Sequence, residues 1–311
     1  MRCIRRPPSK LLTVLAIVSL CSFASIHATV LVDDSFDILD SGSNGRQNDA
    51  ADPRDSAWWN ISSASPFAVT TDPGGINDGN AMEMGVAGGD AVGVSPFGTI
   101  GLNTVGDYLQ ATMDFRRTGN QLLRLGLHHD GGTPAVTDHG NRSVAHNDAG
   151  YFLCFNADSG GSTSGYLMRD IANQTYLSGS WDDVDTLNEA FTIPNALGST
   201  KHTAEFTITR IVDGVEIQLV LDPGETNEFT FVSQDLGAYT IGGSGRILPA
   251  GTWIPPNTTL NEIGWLSRGG NLLFDNVLIT TNIPEPTTWC LLILGTLIIL
   301  PLWHRRCRHR A

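Results

Sequence analysis

The sequence predicts an all-β fold, a sandwich or barrel of many short strands. Three observations carry this. Residues 204–221 alternate apolar and polar side chains on either side of an Asp-Gly turn signal. Short apolar runs bounded by Gly, Pro, Asn and Asp recur from residue 30 to residue 280, and the chain holds 34 glycines and 15 prolines in 311 residues. Helical periodicity is nearly absent; only 182–191 fits one short helical turn.

Taken in order, the strand candidates are 30–36, 108–127, 151–156, 165–169, 204–221, 229–232, 260–266 and 272–280. In 108–127, Leu109, Ala111, Met113 and Phe115 alternate with polar residues. Arg117-Thr118-Gly119-Asn120 then turns the chain, and Leu123, Leu125 and Leu127 return, which reads as a hairpin. In 204–221, Asp213-Gly214 predicts a type I′ turn pairing Val212 with Val215, Ile208 with Leu219 and Phe206 with Leu221. Arg210, opposite Ile217 in that register, is the one misfit on the apolar face. The Gly-rich stretches 72–106 and 242–256 read as long loops, and no Pro-rich linker divides the middle of the chain.

The two ends differ from the middle in charge. Residues 1–28 carry Arg2, Arg5, Arg6 and Lys10 and no acid. An apolar run follows from Leu11 to about Leu20, then small residues with cleavage sites after Ala24 or Ala28. This is a secretory signal peptide for signal peptidase, cut after Ala28 because the first strand starts at Thr29. Residues 29–283 hold 31 acidic side chains against 11 Lys and Arg, a net of −20. So acidic a surface repels nucleic acid and anionic headgroups. Only Cys154 remains in this region, in an apolar run that reads as a buried strand. A chain of this length buries a core without disulfides.

At the C-terminus, Pro284-Glu285-Pro286 precedes an uncharged stretch, 287–303, bracketed by Trp289 and Trp303. Seventeen helical residues reach about 26 Å, enough for a thin hydrocarbon core. Arg305, Arg306, Arg308 and Arg310 then stay on the cytoplasmic side of the inner membrane. The motif, the Trp-bearing apolar span and the Arg-rich end (304–310) resemble the PEP-CTERM sorting signal of Gram-negative bacteria. That resemblance covers residues 284–311 and implies recognition by the transpeptidase exosortase, with cleavage near the motif. It also implies delivery of a membrane-anchored precursor to the cell surface or exterior, in the company of exopolysaccharide. Cys307 in the basic end and Thr287-Thr288 depart slightly from the pattern.

The order of strands over 29–283 resembles the concanavalin-like, laminin-G-like jelly roll, a β-sandwich. Val32-Asp33-Asp34-Ser35-Phe36 and Leu273-Phe274-Asp275-Asn276-Val277 are similar to its opening and closing strands. That fold includes glycosidases with a Glu-x-Asp-x-x-Glu strand, whose alternate positions point into one cleft. No such run exists here: Glu83 has no near partner, and Glu205 and Glu216 lie on the polar face of a hairpin. The expectation is a non-catalytic structural or carbohydrate-binding protein, with a polysaccharide-acting hydrolase or lyase as the alternative.

Other constellations are weaker. Asp158-Ser159-Gly160-Gly161 looks like a serine nucleophile loop, but His146 lies only 13 residues before Ser159, so it reads as a turn. Asp182-Asp183-Val184-Asp185 lacks the glycine and closing glutamate of an EF-hand, leaving a looser Ca²⁺ site or a solvated acidic loop. Asp33, Asp34 and Asp275 make a second cation candidate if the first and last strands are neighbours. His128, His129, His139 and His146 stand beside Asp130, Asp138 and Asp148 without the spacing of a zinc motif. Trp58, Trp59 and Trp181 are flat rings available for sugar stacking, or for the core.

Overall fold

The structure is a computed structural model. It describes residues 28–36, 39, 57–62, 67–72, 76, 79–85, 90–130, 149–170, 185–235, 239–241, 246–248 and 259–283. Among these there is no helix, and so none long and apolar enough to cross a membrane. The signal peptide, the sorting motif Pro284–Glu285–Pro286, the 287–303 stretch and the terminal arginines lie outside the described residues.

Two antiparallel sheets make the sandwich. The first holds β1 (Thr29–Asp34), β3 (Phe67–Thr71), β4 (Asn80–Met84), β6 (Tyr108–Arg117), β11 (His202–Ile211), β12 (Gly214–Leu221), β13 (Phe229–Asp235) and β17 (Leu272–Thr281). Its order is β13-β12-β11-β6-β17-β4-β3, with β1 also on β17. The second holds β2 (Trp59–Asn60), β5 (Asp90–Gly101), β7 (Leu122–His129), β8 (Ala149–Phe155), β9 (Thr163–Asp170), β10 (Asp185–Ile193) and β16 (Thr259–Arg268), in the order β10-β9-β8-β7-β16-β5-β2. A small ribbon pairs β14 (Tyr239–Ile241) with β15 (Arg246–Leu248).

The sheet orders show how the chain is wound. Steps β2 to β3, β4 to β5, β6 to β7, β10 to β11 and β16 to β17 each pass from one sheet to the other. The expected 108–127 hairpin is therefore a crossover. Leu109, Ala111, Met113 and Phe115 do not share a face with Leu123, Leu125 and Leu127; they meet them across one core. Two facing apolar rows satisfy a sandwich as well as they would a hairpin, so alternation alone cannot tell the two apart.

The 204–221 hairpin forms, two residues out of the expected register. Ile211 pairs with Gly214, Ile208 with Ile217, Phe206 with Leu219 and Ala204 with Leu221. The turn is Val212–Asp213, neither with positive φ, so it is not the type I′ turn read from Asp-Gly. A two-residue slip keeps every side chain on its own face, so the core set is unchanged. It expels Val212, which is 75% exposed. Arg210 faces Val215 rather than Ile217, and its Nη1 donates to Gly214 O at 3.2 Å.

Three expected non-strand stretches carry strands. Residues 72–106 contain β4 and β5, residues 242–256 contain β15, and 182–191 gives way to β10. In β5, Val92 and Val94 alternate with Ala91, Gly93 and Ser95, and the glycines hide this period from composition. Gly93 is required: a Cβ there would lie 2.7 Å from the Phe67 ring and 2.9 Å from Met84 Sδ.

β17 organises the first sheet. One edge pairs with β6; the other is shared by β4 at Leu272–Phe274 and β1 from Val277 onward. A bulge at Asp275–Asn276, with Asn276 at φ 51°, switches the inward residues from Leu272 and Phe274 to Val277 and Ile279. The Asp158–Ser159–Gly160–Gly161 segment is the turn expected, with positive φ at both glycines and Ser159 bridged to Ser162.

The two ends of the sandwich are unlike. At one end Arg117, buried, donates to Gln121 O at 2.8 Å, Asn156 O at 3.1 Å and Gly198 O at 3.2 Å, and pairs with Asp158. Asp158 also accepts from Thr163 Oγ1 and, at 3.0 Å, from Gly198 N. One arginine thus ties three connections between strands. Beside it His202 links Asp222 Oδ2 at 2.8 Å to Leu197 O at 2.7 Å. At the opposite end the strands' ends include Thr29, Thr281, Tyr108 and Ile211.

Candidate functional site

The outer face of the second sheet holds the strongest candidate. Strand alternation sends Leu123, Leu125 and Leu127 into the core and Arg124, Gly126 and His128 outward. Register sets Leu266, Gly264 and Glu262 of β16 directly beside them. On the far side of β7 stand Cys154, Phe152 and Gly150 of β8.

The polar centre is a buried pair. His128 Nε2 lies 2.7 Å from Glu262 Oε1, with both side chains almost fully buried. Asp130 follows two residues on, its N–H donating to Asn261 Oδ1 at 2.9 Å, and His129 Nδ1 is 3.7 Å from Asp130 Oδ1. Gly150 permits this close approach. A Cβ there would sit 2.5 Å from His128 Cα and 2.3 Å from Leu127 O.

Beyond the paired glycines Gly126 and Gly264 the face turns apolar and cationic. Trp59, Ile61, Val92, Val94, Phe152, Cys154, Met168 and Leu266 form a second cluster on it. Arg124, fully buried, stands 5.7 Å from the Phe152 ring centroid. Burial pulls its guanidinium below the ordinary arginine value, with Cys154 acting against that shift. The same burial pushes the Cys154 thiol up to about 11. Arg268 closes the row with two 2.6 Å bonds to Asp90, which raise its pKa.

The expected site residues disperse. Trp58 is a core residue: it is fully buried, its Nε1 donates to Asp34 Oδ2 at 3.1 Å, and its ring lies 4.8 Å from Phe274. It has no face for a sugar. Trp59 belongs to the outer cluster, 9% exposed. Trp181, Asp182 and Asp183 lie outside the described residues, as do His139 and His146; Asp185 begins β10.

The first and last strands are neighbours, but Asp33, Asp34 and Asp275 are not gathered as one set of metal ligands. Asp33 is exposed while Asp34 is buried, as strand alternation requires. The Asp34 oxygens accept from Trp58 and from Phe36 N, and Asp275 Oδ1 accepts from Asn276 N at 2.8 Å. Among the described residues no three His, Cys, Asp or Glu gather as metal ligands. The pair that sequence reasoning missed is His128 with Glu262. Its only signal was the position of each at an outward site in an alternating strand, 134 residues apart.

No family model matches the chain, and no curated protein does. Solved structures similar in fold include an endo-1,3-beta-glucanase from Streptomyces sioyaensis, 11% identical over 91% of this chain and 100% of that one, with TM-score 0.45. The metal-free carbohydrate recognition domain of Emp46p is 9% identical over 79% and 97%, with TM-score 0.40. The exoplasmic/lumenal domain of VIP36, in its Ca²⁺/Man2-bound form, is 10% identical over 85% and 94%, with TM-score 0.40. At such identities the function of this chain is left to its own residues.

Proposed function

We propose that this is a secreted, non-catalytic protein of the cell surface or extracellular matrix, whose sandwich binds carbohydrate or serves as a structural component. Signal peptidase removes residues 1–28. The Pro284-Glu285-Pro286 tail holds the precursor in the inner membrane until exosortase acts. Exopolysaccharide is the natural ligand class for such a location.

One observation supports the binding reading. Side by side at the centre of the outer face, Gly126 and Gly264 present no side chain. Phe152 flanks them, the His128–Glu262 pair lies on one side and Arg124 on the other. Donors and acceptors set in one row of the sheet are the kind of groups that orient a sugar, although Phe152, Arg124, His128 and Glu262 are all buried here. The test is a glycan array on the mature protein. Binding lost in Glu262→Gln, with melting temperature kept, supports the reading; a full array of blanks removes it.

A second reading rests on the same pair. An imidazole and a carboxylate 2.7 Å apart are within reach for proton transfer. Release of reducing ends or unsaturated sugars from an array hit, abolished by His128→Gln, would favour a polysaccharide-acting enzyme.

A further inference from the structure

Both ends of the described chain leave the sandwich at one place. Thr29, where β1 begins, is paired with Thr281, where β17 finishes. Asn282 is pinned there too: its Oδ1 accepts from Tyr108 N and its Nδ2 donates to Gly106 O, both at 2.9 Å. Gly106 N in turn donates to Arg210 O, and Arg210 N to Asp107 O, both at 2.8 Å, so the 102–107 connection is bonded to the end of β11, two residues before Val212 of the 212–213 turn.

These two loop tips each hold out a valine. Val105 is 58% exposed and Val212 75%, two of four large apolar side chains so exposed among the described residues. Val212 reaches the tip because of the hairpin register; a turn at Asp213-Gly214 would have paired it. Asp107 and Asp213 stand beside the valines, with Arg210 between the two tips, so this end suits a neutral surface better than an anionic one.

Where the chain goes next decides what these tips meet. At no more than about 3.6 Å per residue, the four steps from Ile283 to Thr287 reach at most ~14 Å. With 287–303 in the bilayer, the end bearing Val105 and Val212 is held against the membrane. We propose that in the anchored precursor this end rests on the lipid surface, with Val105 and Val212 in the interface. The proposal depends on reading 287–303 as a membrane span. It makes His129 and the pair His128–Glu262, which lie toward the same end, membrane-proximal until the tail is cut.

The test uses the full chain after signal-peptide removal, with Cys290→Ser and Cys307→Ser, in phosphatidylcholine vesicles. A nitroxide is attached at Val105→Cys, Val212→Cys or, as a control at the opposite end, Thr226→Cys. Cys154, a buried thiol, escapes labelling. Labels at 105 and 212 are expected to gain oxygen accessibility and lose accessibility to a water-soluble nickel chelate, relative to 226. Equal, water-like values at all three sites, in protein that resists carbonate extraction, overturn the proposal while leaving the anchor intact. Protein stripped by carbonate overturns the span itself, and the proposal with it.

Discussion

Trp58 and Asp34 satisfy each other inside the core: the indole N–H donates to Asp34 Oδ2 at 3.1 Å. Asp34 Oδ1 meanwhile accepts from Phe36 N at 3.2 Å and holds Phe36 at φ 51°. This turn seats Phe36 against Trp58 and Phe274. Trp58→Phe keeps much of the packing and withdraws the donor from a buried carboxylate. We expect a loss of about 1–3 kcal/mol, read by urea denaturation, with no change in any divalent-cation response. A loss of less than a few tenths would mean the bond contributes nothing.

The Arg117–Asp158 pair fixes the end distal to Thr29 and Thr281. Burial alone would raise the Asp158 pKa, but bonds from Thr163, Gly198 and Arg117 outweigh it and hold the carboxyl below its usual range. A depressed folded pKa gives stability that is present above the unfolded value, about 3.9, and lost as pH falls through the folded one. Asp158→Asn is expected to cost around 3 kcal/mol at neutral pH, because it leaves a buried guanidinium without its charge partner. The gap in melting temperature between wild type and variant should close in acid, below about pH 4. A gap constant from neutral pH down to strong acid would contradict the assignment.

Cys154 gives the opposite sign. Its folded pKa, about 11, lies above an unfolded thiol. Its stabilisation is whole below the unfolded value, about 8.5, and fades as pH rises toward the folded one. Mature protein should resist iodoacetamide at mildly alkaline pH and react in denaturant, by mass spectrometry. Cys154→Ala should flatten the alkaline arm of the stability profile.

Gly150→Ala tests the junction of β7 and β8. The added methyl meets Leu127 O and His128 Cα, backbone atoms that cannot step aside. Overpacking of this kind costs about 1–3 kcal/mol or more. We expect a lower melting temperature and weaker amide protection at Leu127–His129, by hydrogen exchange. Alanine tolerated at wild-type stability would mean the strands separate easily here.

How much was legible in the sequence follows from period and distance. The alternations around Phe206, Leu109 and Val277 place strands correctly, because a period of two needs only local residues. The same period is silent on which sheet a strand joins, so β6 and β7 read as a hairpin. β5 was hidden because Gly93 and Gly98 interrupt its apolar rhythm, although Gly93 is what lets Phe67 and Met84 close in. Asp34 and Trp58 both drew notice as ligand residues, since neither sequence position shows that each answers the other. His128 and Glu262 became a site only when β16 was laid beside β7.

The positions of β16 and β17 bear on how the protein is made. They are the last two strands of the sandwich, yet β16 lies between β5 and β7, and β17 between β6 on one side and β4 and β1 on the other. Until they emerge from the ribosome, the second layer is two separated pieces and the first is three, β1 having β17 as its partner, with an empty lane between them. Pairings this far apart in sequence form slowly. The nascent polypeptide therefore remains threadable for the length of its synthesis. It locks only after its final strands have been synthesised.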